Sequence, residues 1–118
     1  MHSEALLDHF RNPRHVGELA PPAITVDVTN PACGDLLRLS VEFAGDRVTR
    51  VAYKVRGCTA SVAAGSALTE WMEGKSKQEL AGISASEIEA RLGGLEAASK
   101  HAAVLAVDGV KRLLSLSR

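Results

Sequence analysis

The chain has 118 residues, with 14 basic and 14 acidic side chains and therefore no formal net charge when its histidines are neutral, and 46% of its residues are apolar. This length suits one small domain over residues 1–118, and the apolar content excludes an intrinsically disordered chain. Zero net charge gives no electrostatic reason to expect nucleic acid as a partner. The longest apolar run, 102–107, is far too short to span a membrane, and the N-terminus lacks the order of a signal peptide. We therefore expect a cytoplasmic protein that binds neither nucleic acid nor membrane.

The first part of the chain predicts a short helix followed by a loop. Ser3 suits the N-cap of an amphipathic helix over 3–10, with Phe10 on its apolar face. Asn12-Pro13 would end this helix, because the residue before a proline disfavours helical backbone. The glycine and prolines of 14–23 then indicate a loop.

Three segments alternate apolar and polar side chains with the period of a half-buried strand: 24–29, 37–43 and 51–56. Residues 44–47 have the composition of a hairpin turn between the second and third strands. Val48 falls out of the alternation of the third strand, which predicts a β-bulge near the start of that strand.

Helical signals dominate the second half of the chain. Apolar residues, mostly alanine, recur at helical spacing from Ala60 to Trp71 and predict a long helix that Gly74 would end. Two pairs of serine and glutamate with capping-box spacing predict two short helices: Ser76 with Glu79, and Ser84 with Glu87. A last helix is expected over about 97–116. These elements predict an α+β fold, a three-stranded antiparallel sheet with helices packed on one face.

The two cysteines are the residues most suggestive of chemistry. Cys33 lies between the first two strands, and Cys58 follows the third strand and opens the long helix. Because the hairpin returns the third strand to the edge that the second strand left, both cysteines and Asp35 should lie at one end of the sheet. The positive end of the helix dipole favours the thiolate, the form that binds soft metals or accepts sulfur. Burial as inert core residues is the alternative for free cysteines.

Glycines and one histidine complete this candidate site. Gly34 and Gly57 lie beside the thiols and would let backbone and ligand approach closely. His101, near the start of the last helix, is the histidine best placed to bind a metal, because helix N-termini favour neutral imidazole. For the other three histidines a solvated or capping role is expected: His2, His9 and His15.

Five segments resemble the NifU N-terminal and IscU family of iron–sulfur cluster assembly scaffolds: 8–17, 30–35, 57–61, 69–76 and 100–106. The similarity runs nearly end to end, and the order of the predicted elements agrees with the SufE/IscU-like fold of that family. The resemblance implies a scaffold rather than an enzyme, on which iron or a [2Fe–2S] cluster is held transiently and where zinc can bind instead. It also implies four ligands: Cys33, Asp35, Cys58 and His101.

The same resemblance implies partners. A PLP-dependent cysteine desulfurase would supply sulfur, and iron–sulfur acceptor proteins would receive the cluster. A carboxylate is a harder and weaker partner for iron than a thiolate, which suits a scaffold that must release its cluster. Docking of an Hsp70-type chaperone is not expected, because residues 95–99 lack the prolines of the segment that such chaperones bind in the family.

Ala102 marks the main departure from the family pattern. In the family, a third cysteine directly follows the histidine and is the residue that accepts sulfur. Alanine can neither bind metal nor carry a persulfide. The four remaining ligands are enough for tetrahedral zinc or, by analogy with Rieske centres, for a [2Fe–2S] cluster. Two alternatives to a scaffold follow: a sulfur relay through a Cys58 persulfide with His101 as base, and a zinc-binding regulator of cysteine desulfurase that builds no cluster.

Overall fold

The computed structural model describes residues 2–31 and 34–117, and the α+β fold that the sequence predicts is confirmed. The elements follow in chain order: α1 (Glu4–Arg11), β1 (Ile24–Thr29), β2 (Leu36–Ala44), β3 (Arg47–Arg56), α2 (Thr59–Met72), α3 (Lys77–Ala81), α4 (Ala85–Arg91), a 3-10 turn (Ala97–Ser99) and α5 (Lys100–Leu116). Across those two described stretches, no helix is both long and apolar enough to cross a bilayer.

The sheet has the strand order β1-β2-β3, and both strand pairs are antiparallel. Glu42 pairs with Arg50 and Phe43 pairs with Val48, so Thr49 is an extra residue on β3. The predicted β-bulge is therefore confirmed. At the other end of the hairpin, the first residue of β2 pairs with the last residue of β3, and the chain segments just outside both strands lie side by side there.

The apolar core lies between one face of the sheet and the helices α2 and α5. Alternate residues of β2 and β3 are buried on that face: Leu37, Leu39, Val41, Val51 and Tyr53. Gly65 lets α2 pack closely on the sheet, because a Cβ at this position would lie 2.4 Å from Cε2 of Tyr53. The Tyr53 hydroxyl also donates to the carbonyl oxygen of Val62 at 2.9 Å. This packing fixes α2 against β3 and so places the N-terminal end of α2.

The loop between α1 and β1 crosses the opposite face of the sheet. At the edge of β3 that faces away from β2, the backbone N–H of Tyr53 donates to the carbonyl oxygen of His15 at 2.9 Å. Glu18 then lies 3.2 Å from Arg38 on β2 and 3.8 Å from Lys54 on β3. The chain must pass from the β3 edge to β1 at the other edge, and these ion pairs hold it across the outer face.

Serines begin three of the helices, as predicted. Each accepts a hydrogen bond from the backbone N–H three residues later: Ser3 from Leu6, Ser76 from Glu79, and Ser84 from Glu87. The prediction for Phe10 is wrong, because this side chain is 40% exposed. The face of α1 that packs on α2 carries Leu6 and His9, three residues apart, and Phe10 lies one position beyond it.

Candidate metal centre

Three candidate ligands meet at one end of the sheet. Oδ2 of Asp35 lies 3.6 Å from Sγ of Cys58 and 3.2 Å from Nε2 of His101, and Sγ lies 3.6 Å from Nε2. A tetrahedral ion with bonds of about 2.0–2.3 Å separates its ligand atoms by roughly 3.3–3.8 Å. The spacing of these three atoms therefore fits a single ion with only small movements of the side chains.

The three side chains come from separate parts of the chain. Asp35 immediately precedes β2, Cys58 is the N-cap of α2, and His101 lies in the first turn of α5. Pairing of Leu36 with Arg56 brings the first two together, so the predicted meeting of Asp35 and Cys58 is confirmed. The predicted ligand Cys33 lies outside the described residues, and its place in the site stays a prediction.

Gly57 makes room for the Asp35 carboxyl group. A Cβ at residue 57 would lie 2.6 Å from Cγ and 2.8 Å from Oδ1 of Asp35. Any side chain at this position would displace the carboxylate from its place beside Cys58. The predicted role of glycine next to this thiol, which is to allow a close approach, is therefore supported by the geometry.

Asp35 is buried, and its side-chain hydrogen bonds to the described residues are made by one oxygen. Its Oδ2 accepts from the hydroxyl of Ser61 at 2.5 Å and from the thiol of Cys58, and it lies 3.2 Å from Nε2 of His101. Burial is the largest single influence on its pKa and acts to raise it, but the polar contacts with Ser61, Cys58 and His101 together lower the pKa of Asp35 below its ordinary value of 3.8. The group is therefore a carboxylate at neutral pH, the form that binds metal.

The ring of His101 is oriented by the turn that precedes α5. Its Nδ1 lies 3.1 Å from the carbonyl oxygen of Ala98, which can only accept a hydrogen bond, so Nδ1 carries a proton. Nε2 is then the nitrogen directed at Asp35 and Cys58. A metal-binding histidine is commonly held in this way, through a hydrogen bond from its other ring nitrogen.

Cys58 is exposed, and its thiol is free of the usual N-cap role. No hydrogen bond from its side chain caps the helix, and the first turn of α2 carries no acidic residue. Its Sγ lies 3.4 Å from Oγ of Ser61 in addition to its contacts with Asp35 and His101. The site therefore presents a thiol at the surface, with a buried carboxylate behind it.

Ala102 is only 1% exposed and belongs to the apolar core. Its methyl group offers no ligand atom. Among the described residues, His101 is the one α5 side chain in the group of metal-binding atoms within 4.8 Å of one another.

Ser61 is a site residue that the sequence analysis missed. It is 2% exposed and lies three residues after Cys58 in the first turn of α2. Residues three apart on a helix share a face, so this spacing was the available signal. The aspartate that it contacts is 26 residues away in sequence, which no local pattern reveals.

The predicted solvated or capping role of His9 is wrong. His9 is buried, with Nδ1 2.7 Å from Oγ of Ser66 and 3.3 Å from the guanidinium of Arg14, and with Nε2 3.8 Å from Glu70. We call these four residues the His9 cluster. Ser66 lies eight residues beyond the helix N-cap, about 12 Å along α2, so the cluster is separate from the metal centre.

Comparison with known proteins identifies the family. The family model described as "NifU-like N terminal domain" matches residues 1–115. The chain belongs to this family. The resemblance noted from the sequence motifs is thereby confirmed.

Individual relatives agree with this membership. The chain is 33% identical over 114 residues to "Iron-sulfur cluster assembly scaffold protein IscU 1" of Archaeoglobus fulgidus, a match that covers 97% of this chain and 74% of that protein. It is 41% identical over 109 residues to "Bifunctional protein NifU/MnmA" of Rubrobacter xylanophilus, covering 91% of this chain but 22% of that longer protein. A solved structure of a "putative iron-sulfur cluster assembly scaffold protein for SUF system" from Fervidobacterium islandicum has the same fold, with a TM-score of 0.76, 20% identity and 96% of both chains covered.

Proposed function

We propose that this protein is an iron–sulfur cluster assembly scaffold, which binds iron or a [2Fe–2S] cluster as transient cargo and passes it to acceptor proteins. The observation that carries the proposal is the convergence of Asp35, Cys58 and His101 at an exposed end of the sheet. Membership of the NifU-like N-terminal domain family supports it, and the A. fulgidus relative bears the name of such a scaffold.

The donor set suits cargo that must be both held and released. A thiolate and an imidazole bind iron and zinc well, whereas a carboxylate is a weaker ligand for iron in a sulfur-rich site. Cys33, two residues before Asp35, is the proposed fourth ligand. Binding and release at the surface need no catalytic step by the protein, so we propose a scaffold that is not itself an enzyme.

Sulfur would reach the site from a cysteine desulfurase that carries a persulfide. The exposed Cys58 thiol is a suitable acceptor, and Nε2 of His101, 3.6 Å from Sγ, can take its proton. The Cys58 thiolate attacks the outer sulfur of the donor; a new S–S bond forms, the S–S bond of the donor breaks, and the donor leaves as a thiolate. No oxidant is needed. Since position 102 is alanine, Cys33 is the other cysteine that could take this role.

Zinc binding without cluster assembly is the second candidate function. It is favoured by the fit of the three ligand atoms to one tetrahedral ion. Under this alternative the protein would act as a zinc-dependent regulator of the desulfurase. Elemental analysis before and after reconstitution separates the two candidate functions. In a scaffold, iron replaces the bound zinc during reconstitution, whereas a zinc regulator keeps its zinc.

Anaerobic reconstitution with a cysteine desulfurase, cysteine and ferrous iron tests the proposed function. We expect visible sulfide-to-iron charge-transfer absorption and subsequent activation of an iron–sulfur apoprotein. Cys58→Ala should lose the absorption, whereas Ser66→Ala, which removes a buried hydroxyl of the same helix away from the site, should retain it. Absence of absorption in the unaltered protein would contradict the scaffold function. A persulfide on Cys58 in the mass spectrum without bound iron would indicate a sulfur relay instead.

A further inference from the structure

We propose that Ser61 is a positioning residue, whose hydroxyl holds the Asp35 carboxylate in the orientation that the cargo needs. The inference rests on the proposed function, because it concerns the same candidate ligands. Oγ of Ser61 donates to Oδ2 of Asp35 at 2.5 Å and lies 3.4 Å from Sγ of Cys58. Ser61 therefore contacts two of the ligands without taking the place of either.

Asp35 needs such a restraint because its two oxygens have different surroundings. Oδ1 faces the backbone at Gly57, where a Cβ would come within 2.8 Å of it. Oδ2 faces Cys58 and His101. A partial rotation about the Cβ–Cγ bond would turn the ligand oxygen away from Cys58 and His101, and a hydrogen bond to that oxygen from a fixed donor opposes such a rotation. Ser61 is fixed, because it lies in the first turn of α2 and is buried.

Metal binding leaves Ser61 as the one donor to Oδ2 among the contacts described above. When Cys58 binds an ion it does so as a thiolate, which has lost the proton that it donates in the metal-free site. His101 carries its proton on Nδ1, so Nε2 has a lone pair that it directs at the ion when it binds. Neither can then donate to Asp35. Of the three side chains around Oδ2, Ser61 alone can donate to it both before and after the cargo enters, and so it can orient the carboxylate in both states.

Cobalt binding under anaerobic conditions tests this role without requiring cluster assembly. Cobalt reports thiolate ligation through its charge-transfer band and tetrahedral geometry through its visible ligand-field bands. Loss of an outer hydrogen-bond partner typically lowers metal affinity about 10–100-fold, and we expect Ser61→Ala to do so mainly by faster release of cobalt to a chelator. The ligand-field bands should weaken as the carboxylate leaves the ion. Ser61→Thr, which keeps the hydroxyl, should restore affinity and spectrum.

Ser66→Ala is the matched control, because it also removes a buried serine hydroxyl from α2. It should leave the cobalt spectrum, affinity and release rate unchanged. A double-mutant cycle supplies a second readout: on an Asp35→Ala background, Ser61→Ala should cause no further loss, because the hydroxyl acts through that carboxylate.

Three results would overturn the proposal. In the first, Ser61→Ala keeps the cobalt affinity, release rate and spectrum of the unaltered protein. The candidate metal centre would then bind metal without any positioning by Ser61. In the second, Ser61→Ala and Ser66→Ala lose affinity equally, so the effect is a general weakening of α2. In the third, the unaltered protein fails to bind cobalt through Cys58, and the proposed function fails together with the inference.

Discussion

The two polar clusters along α2 are built from similar residues but are suited to different tasks. Each contains a histidine, a carboxylate and a buried serine hydroxyl that contacts one of them. In the metal centre an exposed thiol completes the group. In the His9 cluster the Arg14 guanidinium lies 3.3 Å from the histidine nitrogen, where it would repel a cation. The exposed thiol in one cluster and the neighbouring positive charge in the other make the first, and not the second, suited to a metal ion.

The contacts of the His9 cluster indicate a structural role. Oγ of Ser66 contacts the His9 ring and accepts from the backbone N–H of Arg14 at 2.9 Å. These bonds tie α1 and the turn after it to the middle of α2. The His9 cluster therefore joins elements of the fold, whereas the candidate metal centre brings three potential ligand atoms within 4.8 Å of one another beside an exposed thiol.

Exchange of each histidine for alanine should separate the two clusters most clearly. His101→Ala removes a proposed ligand and should lower cobalt affinity by at least about 100-fold, while this partly exposed side chain should contribute less than about 1 kcal/mol to the free energy of unfolding. His9→Ala should lower the free energy of unfolding by about 2–4 kcal/mol, because it leaves a cavity and unpaired polar groups. Its cobalt affinity should be unchanged. Cobalt titration and urea unfolding of both variants measure these effects.

The contrast between the two clusters would fail if the effects on cobalt affinity and on stability occurred together in both variants. A large loss of cobalt affinity in His9→Ala that persists well below its unfolding midpoint would mean that the cluster is coupled to the metal centre. Retention of full affinity in His101→Ala would remove the histidine from the ligand set.

Substitution of two glycines should separate metal binding from stability in the same way, with somewhat smaller effects. Gly57→Ala places a Cβ against the Asp35 carboxyl group and should lower cobalt affinity roughly tenfold or more, because the ligand is displaced. Gly65→Ala places a Cβ against the ring of Tyr53 and should lower the free energy of unfolding by about 1–3 kcal/mol through overpacking. Each variant serves as the control for the other in cobalt titration and urea unfolding. Equal losses of stability with unchanged metal affinity would argue against a role for Gly57 in the site.

The sequence predicts the sheet well because strand residues alternate between faces. The first strand is found at Ile24–Thr29, as predicted, and the second extends one residue further at each end than predicted. The third strand begins four residues earlier than the predicted 51, at Arg47, because pairing continues across the bulge. Local periodicity thus defines the strands, but the residue at which pairing resumes beyond a bulge depends on the partner strand.

The metal centre is only partly predictable for the same reason. Chain reversal in the hairpin is enough to bring Asp35 and Cys58 to one end of the sheet. His101 was suggested by its position near a helix start and by the family resemblance. The roles of Ser61 and His9 depend on partners 26 and 57 residues away in sequence. Periodicity indicates which face of a helix is apolar, but it does not indicate which element packs against that face. Long-range packing decides such polar contacts.

Acid should reveal the His9 cluster through a modest effect on stability. Burial, followed by the positive charge of Arg14, lowers the pKa of His9 below its ordinary value of 6.5, against the opposing influence of Glu70 and Asp8. As the pH falls below 6.5, the unfolded chain takes up a proton that the folded protein does not yet bind. The contribution of His9 to stability is therefore complete above this pH and is lost as the pH falls toward its lowered pKa.

His9→Asn isolates this contribution, because an amide can still hydrogen-bond Ser66 but does not titrate. Urea unfolding of both proteins between about pH 5 and about pH 8 should show a steeper loss of stability in the unaltered protein on the acid side. Carboxylates elsewhere titrate alike in both proteins, so the difference between the two curves reports His9. Parallel curves would mean that protonation of His9 costs the folded state nothing, and the cluster would then be open enough to solvate a charged imidazole. That result would remove the contrast between an enclosed cluster and an accessible metal centre on the same helix.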